Sequence, residues 1–340
     1  MLRLALVGDH RVGATYARIA PRLRKARFTA IADSDGATAQ ALAALIGAEV
    51  WAEDFDTLLA KHHGSFDAML LHSASRFKEQ HGARAAQAGK HILCQSPMAL
   101  FRHEAAEIIS VSRAARICLM IGQDLRFAPA IRVVKENGES GRLGEPGLLR
   151  IHRWQASECS PGLSDILPCD RPVANPLWPL LPEIDLACWL FGRGPEIVYA
   201  TARREEKPTN TRGYVQLHLG FSDGGMALID YAETLPKDDG YFSLSLIGSK
   251  GAAYADDHHN MQLLFTGGPP VALKTLQGDL HLLAQLQEFV EAVEQRREPA
   301  IGGTDGLRMI EVVEAAARSL AIGDSVRCLE EQAEDTLTPA

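Results

Sequence analysis

Two glycines and an aspartate stand where a nucleotide could be held. The stretch ALVGDHRVGATYARIA opens as an apolar strand, turns at Gly8 and Gly13, and continues as a helix. It follows the pattern G-x-G-x-x-G, except that His10 replaces the second glycine. In that pattern the first glycine makes the tight turn and the second lets a pyrophosphate approach the backbone. The third lets the helix pack closely. Arg11 and Val12 complete the loop, and His10 either crowds a pyrophosphate or donates a hydrogen bond to it. Asp33 ends the next strand, 20 residues past Gly13, where a carboxylate accepts from an adenosine ribose. A carboxylate there disfavours a 2′-phosphate, so NAD is expected over NADP. The plainer alternative is that the glycines only shape a turn and that Asp33 caps the next helix.

A second place is HILCQSPMAL, residues 91–100, a short buried strand followed by a turn. Gln95 and Ser96 lie at its carboxyl end, the edge of an open α/β sheet where ligands bind. His72 and Ser73 end the strand before it; both are candidates for contact with the same cofactor, and a core histidine with its polar atoms satisfied is the plainer reading of His72. The pairs His62-His63 and His258-His259 are adjacent residues whose side chains diverge, so neither is a metal site by itself. No zinc spacing occurs, and no metal is expected.

These residues need elements to position them. Apolar strands at 3–8, 28–33, 48–51, 66–73, 91–94 and 116–122 alternate with helical segments. That alternation predicts a doubly wound parallel sheet, a Rossmann domain over 1–122. A helix at 128–144 closes at Gly141. Strands then follow at 147–154, 196–204, 213–221, 225–233 and 240–248 with no long helices between them. Asp223-Gly224 marks a hairpin. Helices at 281–297 and 305–321 finish the chain, with Thr304 expected as an N-cap. The second domain, 123–324, is therefore expected to be α+β with a large, mostly antiparallel sheet. Residues 325–340 are expected to form an acidic tail.

The chain has 340 residues, 46% of them hydrophobic and 23% charged, with a net charge of −8. The length allows two domains and a large core. The acidic balance argues against nucleic acid as a partner. Neither a membrane span nor a signal peptide is legible, and a cytoplasmic protein is expected. Six scattered cysteines read as reduced, mostly buried thiols. A Cys159–Cys169 disulfide is the alternative for that pair.

Taken together, these stretches resemble the Gfo/Idh/MocA family, the relatives of glucose–fructose oxidoreductase and inositol dehydrogenase. VGDHRVGATYA is similar to its V-G-x-G-x-x-G opening, and AGKHILCQSPMAL resembles A-G-K-H-V-x-C-E-K-P-x-A. IGQDLRFAPAIRVVKENGESGRLGEP resembles the linker helix with its R-F-x-P motif, and IDLACWLFG the H-x-x-D-L-x-x-W-L-x-G helix. The resemblance implies a nicotinamide cofactor and hydride transfer at a secondary alcohol of a sugar-like compound. It also implies a homodimer or homotetramer formed through the second sheet. Arg126 matches the linker motif and is placed at the domain interface, with a cofactor contact as its functional reading.

The residues that the family uses for proton transfer are replaced. The lysine of E-K-P is Ser96, the histidine before D-L-x-x-W-L is Pro182, and the earlier aspartate is Trp178. The T-P-x-x-H motif becomes Ser73-Ala74-Ser75-Arg76-Phe77. Proline cannot titrate, tryptophan only donates, and serine needs a partner base. Asp185 survives, and Asp165 and Asp170 in the preceding insertion are weak candidates for a substitute base. All three also read as structural, as ion-pair, turn or cap residues. Two main readings follow: an oxidoreductase with a rearranged site, or a non-catalytic member serving as scaffold, sensor or partner of an active paralogue. The resemblance also allows a third, non-redox chemistry such as a lyase or NAD-recycling hydrolase, for which no acid–base group stands out.

Overall fold

A computed structural model describes residues 1–8, 10–72, 78–156, 177–204, 213–236, 239–256, 261–265, 271–274 and 280–328. Six strands form the first sheet: β1 (Leu2–Val7), β2 (Ala26–Ala32), β3 (Val50–Ala52), β4 (Ala68–Leu71), β5 (His91–Gln95) and β6 (Leu119–Gly122). Their order is β3-β2-β1-β4-β5-β6, and every pairing is parallel. Such strands must be apolar on both faces, and β4 and β6 are buried at every position. Strand β6 starts later than the apolar run suggests. The Cys118 N–H donates to His91 Nδ1 at 2.9 Å instead of a ladder carbonyl. Helices α1 (His10–Ile19), α2 (Gly36–Ile46), α3 (Phe55–His62), α4 (Lys78–Gln87) and α5 (Arg102–Ala114) connect the strands. Strand order reverses between β1 and β4, which opens a crevice at their carboxyl ends.

The second sheet has nine strands: β7 (Pro146–Ala156), β8 (Ile197–Arg204), β9 (Gly213–Gly220), β10 (Met226–Leu235), β11 (Gly240–Gly248), β12 (Ala252–Asp256), β13 (Met261–Phe265), β14 (Val271–Lys274) and β15 (Val326–Arg327). They run in the order β14-β13-β12-β11-β7-β10-β9-β8-β15, antiparallel except for β7 beside β10. Strand β9 alternates buried and exposed positions, so one face packs and the other stays open. Helices α6 (Pro129–Glu139), α7 (Leu181–Phe191), α8 (Leu280–Gln295) and α9 (Gly303–Ile322) complete the fold.

Two expectations change. The acidic tail does not begin at 325, because Val326 and Arg327 pair with β8. Helix α9 is capped by Gly302 and not Thr304, since the Asp305 carboxylate reaches back to the Gly302 N–H at 2.9 Å. Helix α8 reaches across to the first sheet: its Leu282, Leu286, Phe289 and Val290 share a core with Leu4, Leu6, Tyr16 and Phe28. No helix of the described residues is long and apolar enough to cross a membrane.

Candidate functional site

The carboxyl edge of the first sheet gathers most of the residues expected to hold a cofactor. Gly8 leaves β1 at φ 85°, a left-handed conformation that suits glycine. Its N–H donates to the Ala32 carbonyl at 2.8 Å. A Cβ on Gly13 would stand 2.7 Å from Leu42 Cδ2, so this glycine lets α1 approach α2. Asp33 is buried, and its Oδ1 accepts from the Asp35 N–H at 3.0 Å. The cap of α2 is Asp35, which accepts from the Ala37 N–H at 3.1 Å and the Thr38 hydroxyl at 2.6 Å. Asp33 is therefore spared that duty, and its second oxygen makes no hydrogen bond among the described residues. A bent strand exit, a glycine-packed helix start and an available carboxylate fit the adenosine side of a dinucleotide.

His72 sits half-buried past β4, its ring edge-on to Tyr16 at 5.6 Å. Gln95 ends β5 with its side chain laid across Gly122, where any Cβ would strike Oε1. The Ser96 N–H donates to the Gly122 carbonyl at 3.3 Å. His10, Arg11 and Val12 form the first turn of α1, and their side chains lie outside the described residues, as do Ser73, Asp165, Asp170, Cys159, Cys169 and Lys237.

Arg126 follows β6 in the turn Asp124–Phe127 and is buried. Asp185 of α7 grips it with both oxygens at 2.7 and 2.6 Å, Asp305 of α9 adds a contact at 3.1 Å, and Trp189 lies 5.5 Å below. Burial pushes the guanidinium down, but the two carboxylates outweigh it and hold Arg126 above its ordinary value. Burial pushes the Asp185 carboxyl up against Arg126. The two-pronged geometry with a permanent cation decides for a charged pair. Arg126 is thus bound by the carboxylates of Asp185 and Asp305. Asp185 is committed to Arg126 and is therefore not free to act as a base.

Two other clusters escaped the sequence reading. Asp124, just past β6, lies 3.2 Å from His281 at the start of α8, and both are about a third exposed. Burial pushes the Asp124 carboxyl up, but His281 and Arg153 outweigh it and hold it low. Beside it, Arg153 of β7 binds Glu183 of α7 at 2.8 Å, and Gln155 donates to the Tyr231 hydroxyl at 2.9 Å. Burial and Glu233 push the Tyr231 phenol up, so it keeps its proton at neutral pH and can donate a hydrogen bond. One signal was legible. Arg153 shares its strand register with buried Leu149 and Ile151, an unusual place for a charge. Nothing in the sequence joins Asp124 to His281.

At the family's proton-transfer positions, Ser96 and Pro182 are half-buried and Trp178 is buried. The Trp178 Nε1 donor and the Glu183 Oε2 acceptor are both buried without a hydrogen-bond partner. Burial pushes the Cys118 and Cys188 thiols up to about 12, so neither is a thiolate at neutral pH. Among the described residues no His, Cys, Asp and Glu group is placed for a metal.

Comparison with known proteins agrees with this architecture. Residues 2–123 match the NAD-binding Rossmann fold of an oxidoreductase family. Residues 181–327 match the family's C-terminal alpha/beta domain. Inositol 2-dehydrogenase of Rhizobium meliloti (strain 1021) is 27% identical over 331 residues, covering 94% of this chain and 97% of that protein. An Agrobacterium radiobacter oxidoreductase, solved with NAD+, L-tartaric acid and magnesium, superposes with a TM-score of 0.82 at 20% identity, over 96% of this chain and 98% of that one. Scyllo-inositol dehydrogenase of Lactobacillus casei, solved with NAD(H) and scyllo-inositol, gives 0.80 at 20% identity, over 96% and 99%. With both domains matched in order along one chain, this protein belongs to the Gfo/Idh/MocA family of NAD-binding oxidoreductases.

Proposed function

We propose that this chain is an NAD-dependent oxidoreductase acting on a secondary alcohol or ketone of a polyol or sugar-like compound. The observation that carries the reading is Asp33, buried at the end of β2 with one carboxylate oxygen uncommitted. Such an oxygen suits a ribose hydroxyl and disfavours a 2′-phosphate, which argues for NAD over NADP. The cofactor, when bound, accepts or returns a hydride at its nicotinamide ring. Gly8 and Gly13 would shape the pyrophosphate end, and Gln95 would serve the ribose or amide of the other half.

The chain itself must move the hydroxyl proton. With Ser96, Pro182 and Trp178 at the usual positions, we assign that task to His281, oriented by Asp124 at 3.2 Å. A carboxylate beside an imidazole fixes its tautomer and favours its protonated form. Arg153 and Tyr231 are donors suited to substrate hydroxyls. The relatives named above for inositol support a polyol as the substrate class. The open face of the second sheet carries exposed Trp154, Tyr214, Met226 and Ile247. We assign it to a second copy of the chain, since one patch can pair with itself around a two-fold axis.

Calorimetry with NAD(H) tests the first step, and Asp33→Ala should weaken binding about tenfold, the worth of one good hydrogen bond. A polyol panel then tests turnover, with His281→Gln lowering kcat at its pH optimum. No binding at millimolar NAD(H) would sink the proposal. Binding without turnover on any polyol favours the second reading, a non-catalytic scaffold, sensor or partner of an active paralogue. The buried Trp178 in place of an aspartate supports that reading.

A further inference from the structure

Far from the carboxyl edge, a cavity of about 1060 Å³ opens along β6, between the ends of α5 and α8 and the start of α9. Arg113, Arg116, Arg296 and Arg297 line it. Arg297 is neutralised by Glu288 at 2.6 and 2.7 Å. The other three arginines have no ion-pair partner among the described residues, against one lining carboxylate, Glu298, that is likewise uncommitted. A protein of net charge −8 thus concentrates positive charge in one hollow.

The backbone supports a purpose for these side chains. Arg116 ends α5 at φ 53° and Arg296 ends α8 at φ 52°. Both are left-handed, a conformation glycine adopts without steric cost and arginine does not. Among the described residues only Lys25 shares this feature outside glycine. Sequence alone would place glycine at both helix ends. Ser112, in the same wall, is 3% exposed, and its hydroxyl has no hydrogen-bond partner. His91 Nδ1 accepts from the Cys118 N–H, so its Nε2 carries the ring proton on the cavity side of β5. Gly303 at the start of α9 also lines the cavity, the Gly302 N–H being taken by Asp305. The remaining wall is apolar, with Ile109, Ile117 and Val293.

We propose that this hollow is a binding site for a phosphorylated small molecule of nucleotide size, distinct from the cofactor edge. Arginine forks match phosphate oxygens two at a time, and the apolar wall takes the organic body. Asp305 lines the cavity and also holds Arg126 at 3.1 Å, so an occupant would touch the same carboxylate that braces the turn after β6.

The test is a calorimetric titration of the full chain with inorganic tripolyphosphate and, separately, ATP and a hexose phosphate, at fixed ionic strength. Wild type and Asp33→Ala should bind tripolyphosphate alike, because the cofactor edge is not involved. The double variant Arg116→Gly/Arg296→Gly keeps residues that accept the left-handed backbone, and its affinity should fall about tenfold or more. Arg113→Gln on α5 should weaken binding in the same direction, which guards against misfolding of the double variant. ATP or the hexose phosphate binding more tightly than tripolyphosphate would identify the organic body. Unchanged affinity in the arginine variants, loss in Asp33→Ala, or no heat at millimolar anion overturns the proposal.

Discussion

At the scale of single residues, Arg126 is a buried charge made tolerable by two carboxylates. Removing one partner leaves the other ion unpaired in the core, so Asp185→Asn should cost about 3–5 kcal/mol in denaturant unfolding. A loss no larger than that of an exposed ion pair would refute this. Trp178 poses the opposite case, a buried donor with no acceptor. Trp178→Phe removes the orphan but leaves a smaller ring in a buried site, so the two effects oppose each other and stability should change by no more than about 1 kcal/mol. His81 sets a pH dependence. Burial pushes its imidazole down to about 4, from an ordinary 6.5, against Phe55 stacked at 4.1 Å. Between those values the unfolded chain binds more protons. Its stabilising share is complete above pH 6.5 and is lost as pH falls toward 4. His81→Phe should flatten the melting temperature across that window, and parallel slopes for both proteins would contradict the assignment. The place of Asp33 was legible at this scale because it depends on position along one strand. Asp124 and His281 were not, because only the tertiary fold brings a loop after β6 to the start of α8.

At the scale of elements, glycines set how closely neighbours approach. A side chain at Gly13 strikes Leu42, so Gly13→Val should prise α1 from α2 and cost about 1–3 kcal/mol, read from thermal unfolding. NAD(H) affinity should fall with it, since the same turn shapes the pyrophosphate end. A variant as stable as the parent would disprove the close-packing role. Strands of the first sheet were legible because burial on both faces demands unbroken apolar runs. Strands β9 and β10 were legible because one face alternates and Gly224 turns the hairpin at φ 84°. Spatial order was not. Local sequence says nothing about β7 lying parallel to β10, or about β15 closing the far edge. Thr304 was misread as a cap because Asp305 offered a better acceptor.

At the scale of the whole molecule, the two sheets share a continuous core. Ala5 and Val7 of β1 belong to the same cluster as Leu149, Ile151 and Leu244 of the second sheet. Unfolding should therefore be a single cooperative transition, and two separate calorimetric peaks would count against it. The open sheet face makes a second prediction. Trp154→Glu with Tyr214→Glu should turn a dimer or tetramer into monomers by light scattering, with the fold intact by circular dichroism. A parent that is already monomeric would remove the proposed pairing.

Helix α8 carries a consequence for biosynthesis. When residue 123 has left the ribosome, all six strands of the first sheet exist, and α1 and α2 already bring Tyr16, Ile19 and Leu42 to the cluster around Leu4, Leu6 and Phe28. The α8 members of that cluster, Leu282, Leu286, Phe289 and Val290, arrive only after the second sheet through β14 has been made. The nascent chain therefore carries a partly covered apolar cluster until the end of α8 has emerged.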